Sequence, residues 1–172
     1  MTTLSVTIPT LQTERLTLRA QSEADVPAME AFFSSDRSRF VGGPVEPSQV
    51  WGKMAGALGH WALRGYGIWA IEVEGQTAGW TGVICPPDWP EPELGWGVYE
   101  GFEGKGLAYE AALTARRYAA KEWGLTPIIS LIDPANTRSA KLAERLGAVP
   151  EDDTIIRGTP CRIWRHPAEV SA

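Results

Sequence analysis

Apolar and polar residues alternate over residues 11–19, where Leu11, Leu16 and Leu18 carry the pattern, and this predicts a first strand. Ser22 followed three positions later by Asp25 has the form of a capping box, so a helix is expected over 23–33. Pro27 fits there because it falls near the first turn. Residues 38–47 hold Gly42, Gly43, Pro44 and Pro47 and read as a loop long enough to be functional. A second helix follows, capped by Ser48 and running to about residue 63.

Residues 68–73 and 78–84 are short runs rich in β-branched and aromatic side chains, and the turn residues between them predict a hairpin. Prolines end it over 85–92, and another strand is expected over 93–99. From 107 to 123, Ala108, Ala111, Ala112, Ala115 and Ala119 recur at helical spacing, giving a narrow face that can approach a sheet closely. A buried-type strand over 126–132 and a helix over 138–146, ended by Gly147, come next. Strand, helix, strand in this order is a right-handed crossover, so the strands at 93–99 and 126–132 are expected to be parallel. A last hairpin is expected to use Ile155, Ile156 and residues 162–164.

A chain of 172 residues leaves room for one domain. Its 21 acidic and 16 basic residues give a net charge of -5, which argues against bulk nucleic-acid or anionic-membrane binding. Cys85 and Cys161 are the only cysteines and His60 and His166 the only histidines; neither set has metal-ligand spacing, so no metal site is expected. No basic residue precedes Arg15 and no apolar run nears the ~20 residues of a membrane span, so the protein is expected in the cytoplasm.

The most informative stretch is 98–111, VYEGFEGKGLAYEA, which joins a strand to the alanine-faced helix. Gly104 and Gly106 free the backbone to aim several amides one way, and the helix start adds partial positive charge. That is a pyrophosphate cradle, or else a glycine-rich turn without a ligand. Lys105 is not followed by Ser or Thr, so this is no Walker A loop, and no G-x-G-x-x-G is present.

Taken with residues 133–147, DPANTRSAKLAERLG, the loop resembles the GNAT superfamily of acyl-CoA-dependent N-acetyltransferases, in particular its RimJ/RimL-like branch. Gly106 and Ala108 match that branch's phosphate signature, Asn136, Ser139 and Leu146-Gly147 match its following helix, and residues 13–19, TERLTLR, are similar to its first strand. Glu103 departs from the Gln, Arg or Trp usual at its place, and its side chain is expected to face solvent because the cradle works through backbone amides.

The resemblance implies a single-domain α/β (α+β) fold, a mixed sheet splayed open beside Trp96, Gly97 and Val98 and flanked by helices. Acetyl-CoA, with no metal, would be the acyl donor, and an amine the acceptor: a protein N-terminus or a small molecule. Its pantetheine arm would pair with Trp96–Val98, where a backbone amide near Trp96 would stabilise the oxyanion. Its phosphates would lie on Glu103, Gly104, Lys105, Gly106, Leu107 and Ala108. Asn136 would bond the pantetheine. Ser139 would protonate the leaving thiolate, serve as a helix cap, or both.

An amine attacks only when neutral, and α-amines (pKa ~8) lose their proton more readily than lysines (~10.4). Glu93, at the start of the strand carrying the thioester, is the candidate base, direct or through water; the alternative is a solvated strand-end carboxylate. The stripe Arg138, Lys141 and Arg145 is either a solvated face or an approach to the nucleotide phosphates. Trp51, Trp61 and Trp89 fall in regions that border the acceptor pocket in GNAT proteins and are candidates for its aromatic wall. A non-catalytic acyl-CoA-binding module and a nucleotide-binding domain are the rival readings, and a homodimer is compatible with all of them.

Overall fold

The computed structural model describes residues 1, 3 and 5–168. Eight strands form one sheet in the order β1-β2-β3-β4-β5-β6-β8-β7. They are β1 (Leu11–Gln12), β2 (Thr17–Arg19), β3 (Ile68–Val73), β4 (Gln76–Ile84), β5 (Glu93–Val98), β6 (Ile129–Ile132), β7 (Val149–Ile156) and β8 (Thr159–Arg165). The helices are α1 (Val26–Phe33), α2 (Pro47–Arg64), α3 (Leu107–Trp123) and α4 (Thr137–Arg145). β5 and β6 are parallel, as the crossover requires, and the other pairs are antiparallel.

The strand expected over 11–19 is instead two short strands folded on each other, with Leu11 opposite Leu18. Thr13 N–H donates to the Leu16 carbonyl at 2.9 Å and closes the turn between them. The sheet strand after α3 starts at Ile129, three residues later than the apolar run, and the closing hairpin is longer than expected. α2 is capped by Glu46, not Ser48, because Pro47 takes the first helical position, where its missing N–H costs nothing.

Period-two alternation along β5 sends Leu94 and Trp96 toward α3, and Glu93, Gly95 and Gly97 toward α1 and α2. On the α3 side Ala111, Ala112, Ala115 and Ala119 are fully buried against Val83 and Leu94; the small residues let the helix lie close to the sheet. On the other side Met29, Phe32, Phe33, Val50 and Met54 pack with Tyr99. Arg19 joins β2 to this layer: its guanidinium forks onto Asp25 at 2.8 and 2.9 Å and also bonds Glu72. Burial alone would raise the Asp25 pKa, but the hydrogen bonds from Arg19, Thr77 and the Ser22 backbone hold it at about 2.

The feature that makes the site is a fork. β5 and β6 are in register only at Glu93 and Ile129, and then part. Where they part, Ser130 Oγ donates to the Leu94 carbonyl at 2.6 Å and is itself 2.9 Å from His166 Nε2. His166 Nδ1 receives Arg116 Nη1 at 3.2 Å, which makes Nε2 the protonated nitrogen. Burial, with the Arg116 charge added, pushes the His166 pKa down to about 4, so the ring stays neutral and relays hydrogen bonds from Arg116 to Ser130 at the fork.

Candidate active site

The loop between β5 and α3 turns on Gly104 (φ +73°) and Gly106 (φ +78°), and Gly106 is the N-cap of α3. Glu110 is the first residue to bond back, to the Gly106 carbonyl at 3.2 Å, so the amides of Leu107, Ala108 and Tyr109 have no acceptor within the helix. A Cβ at 106 would meet only Arg15 Nη2, at 3.5 Å; glycine is required there by its backbone angle and not by crowding. Arg15 clamps the loop from outside. Its Nη1 donates to the Lys105 carbonyl at 2.8 Å, and its guanidinium pairs with Glu110, which Thr13 also bonds at 2.5 Å. The turn that divides the expected first strand therefore holds the glycine loop in place.

A cavity of about 710 Å³ runs along this loop and into the fork. Trp96, Gly97, Val98, Glu103, Gly104, Gly106, Leu107, Ala108, Asn136 and Ser139 all line it. Lys105 is not among its lining residues; its ammonium turns back to the Gly101 carbonyl at 2.8 Å. Glu103 does not face solvent as expected. It lines the cavity, accepts the Gly101 N–H at 2.9 Å and pairs with Arg37 from the segment between α1 and α2. Asn136 is the N-cap of α4, accepting the Ser139 N–H at 3.2 Å, so the cap role considered for Ser139 belongs to Asn136. Arg138, Lys141 and Arg145 line the same cavity together with Arg37 and Arg39. The stripe on α4 is thus part of a basic wall, suited to an anionic ligand.

A second cavity, of about 200 Å³, lies under α1 and α2 and is lined by Glu93 and Gly95 of β5. Both cavities draw lining residues from β5, and they share Val41. Glu93 is not a solvated strand-end carboxylate. Burial raises its pKa to about 7, although the Trp89 indole N–H and the Leu131 N–H both donate to it and pull the other way. Trp89 is held for this by Arg157, which lies over its ring at 4.6 Å and pairs with Asp88 at 2.6 Å.

The tryptophan that lines this second cavity is Trp80, beside Phe33; Trp51, Trp61 and Trp89, singled out from sequence, do not line it. Trp51 is exposed, Trp61 is buried in a cluster with Trp69 and Trp123, and Trp89 serves Glu93. The Trp80 indole lies along β5 so closely that a Cβ on Gly97 would sit 2.4 Å from its Nε1. No signal in the sequence marks Trp80, since the contact is made across strands. Arg15 and Arg37 were equally invisible, because their partners lie some 95 and 66 positions away along the chain.

This fold, with a splayed parallel pair beside a glycine loop at a helix start, is that of an acetyltransferase. Residues 15–149 match the model of the acetyltransferase (GNAT) domain, and the chain belongs to that family. An acetyltransferase from Agrobacterium tumefaciens str. C58 is 38% identical, with 96% of this chain and 98% of that one aligned and a TM-score of 0.86. A protein described as a GnaT-family acetyltransferase from Bordetella pertussis is 25% identical over 92% of this chain and 99% of its own, with a TM-score of 0.78. RimL, a ribosomal L7/L12 alpha-N-protein acetyltransferase solved with coenzyme A, shares the fold at 17% identity, over 91% of this chain and 96% of its own, with a TM-score of 0.74. Among the described residues no helix is long and apolar enough to cross a membrane.

Proposed function

We propose that the protein is an N-acetyltransferase that moves the acetyl group of acetyl-CoA to a primary amine, both substrates being bound together. The observation that carries this reading is that neighbouring residues of β5 line two cavities, one basic and built on helix-start amides, the other largely apolar with Glu93 in its lining. The larger cavity fits the donor. The amides of Leu107, Ala108 and Tyr109 would receive the pyrophosphate, and Arg138, Lys141 and Arg145 the other phosphate charge. Trp96, Gly97 and Val98 would bond the pantetheine along the open edge of the fork, with Asn136 opposite. Bound there, acetyl-CoA supplies the acetyl group as a thioester.

The protein's own contribution is positioning and proton handling. Aligning two reactants is worth effective molarities of ~10⁵–10⁸ M, against ~10²–10⁴ for a general base, so the fork and the loop matter more than any one side chain. Glu93, with its pKa near 7, takes the proton from the incoming ammonium, directly or through water. Ser139, lining the donor cavity, gives a proton to the departing sulfur. The likeness to RimL supports a place in the RimJ/RimL-like branch. The deciding experiment incubates the protein with acetyl-CoA and a panel of amines and follows release of free thiol. Binding of acetyl-CoA without amine-dependent release would make it an acyl-CoA-binding module instead.

A further inference from the structure

The smaller cavity holds a second charge for which proton transfer has no use. Lys53 of α2 lines it, with its ammonium 3.2 Å from the Gly42 carbonyl and 4.9 Å from the centre of the Phe33 ring. Among the described residues no carboxylate lies within ion-pair distance of Lys53, and burial lowers its pKa. Lys53 is half-buried and its ammonium, still open to water on one side, has only a carbonyl and a ring face as partners, so its charge is unmatched and an anion brought to it is favoured. Glu93 lines the same cavity from the sheet side, while Lys53 does so from the helical layer, and the two do not pair with each other. Met29, Phe33, Ala57 and Ile68 supply apolar walls between them. Gln21, only 8% exposed, lines the cavity too, and its Oε1 has no hydrogen-bond partner.

Resting on the acetyltransferase reading, we propose that the acceptor is a small aliphatic amino acid, an amine that brings its own carboxylate. Its nitrogen lies toward Glu93 and β5, its carboxylate at Lys53 and its apolar part on Met29, Phe33 and Ile68, and one N–H answers Gln21. The cavity's roughly 200 Å³ is below the ~300–1,000 Å³ of ordinary ligand pockets and suits a molecule of that size. A protein N-terminus would put an uncharged amide where the carboxylate belongs and leave Lys53 without its anion.

The test compares aliphatic amino acids, with the amine α, β or γ to the carboxylate, against their amides, their decarboxylated amines and short peptides. Thiol release is followed at saturating acetyl-CoA, with the melting point of the protein recorded with and without acetyl-CoA. The free acids are expected to show kcat/KM at least tenfold above their amides and amines. Lys53→Met should raise KM tenfold or more for the acids and less than threefold for the amines, and Lys53→Arg should restore the preference. Preference for amides or peptides would overturn the proposal, as would an equal rise in KM for acids and amines in Lys53→Met. So would turnover of no acceptor by a protein that acetyl-CoA stabilises. Failure of acetyl-CoA to raise the melting point would instead strike the acetyltransferase reading beneath it.

Discussion

Arg37 and Glu103 form an ion pair that joins the two walls of the larger cavity, one from the segment between α1 and α2, the other from the glycine loop. An anionic ligand in that cavity competes with Glu103 for the guanidinium. Arg37→Ala is therefore expected to weaken acetyl-CoA binding by about tenfold or more, since a hydrogen bond to a charged group contributes ~1.5–3 kcal/mol. Glu103→Gln should strengthen binding, because it frees Arg37 and removes a negative charge from the path of the phosphates. Calorimetric titration at two salt concentrations checks both; equal weakening in the two variants would mean that the pair only braces the loop.

Acetyl-CoA at a hundredfold excess over its Kd should add ~2.7 kcal/mol to stability, or about 5–10 °C in melting temperature for a chain of this size. Gly106→Val should abolish that shift and also lower the melting point of the free protein, because a side chain at φ +78° costs about 1–3 kcal/mol. Arg15→Ala leaves the backbone angle alone and loosens the loop, so it should reduce the ligand shift more than it reduces the basal melting point.

Asn136 both caps α4 and lines the larger cavity, where we place the donor, and two substitutions separate these roles. Asn136→Ala should cost about 1 kcal/mol of stability together with acetyl-CoA affinity, whereas Asn136→Ser keeps a cap and should lose affinity alone. Ser139→Ala should leave affinity within a few-fold and lower kcat. If kcat holds while affinity falls, Ser139 is a binding residue only.

Glu93 must be ionised to accept a proton, so kcat/KM should rise with pH through about 7 and flatten above it. In Glu93→Gln that limb should vanish. Trp89→Phe removes a hydrogen bond that lowers the Glu93 pKa, so the limb should move to higher pH without disappearing. The same group sets a stability trend. Its folded pKa exceeds its ordinary value of 4.5, so its contribution is most favourable at pH below 4.5 and declines as pH rises through about 7. Glu93→Gln should lose that decline, which chemical denaturation at pH 5 and pH 8 would detect; the acceptor must be the same in every rate comparison.

Most of the elements could be read from the chain because each is written in local terms. The alanine face of α3, the glycines before it and the glycine that ends the helix after β6 all lie within a few turns of the structure they specify. The larger cavity, where we place the donor, was legible for the same reason: a loop that offers its own amides needs only its own sequence, and nine of the ten residues expected at the donor line that cavity. What tertiary structure alone decided are contacts between distant segments. Thr13 and Arg15 became a clamp because β1 and β2 fold back beside the loop, and Glu103 turned inward because Arg37 meets it. Glu93 is a half-buried acid with a raised pKa because the loop carrying Trp89 closes over the start of β5. Burial and pairing set its chemistry, and both depend on which parts of the chain come together in space.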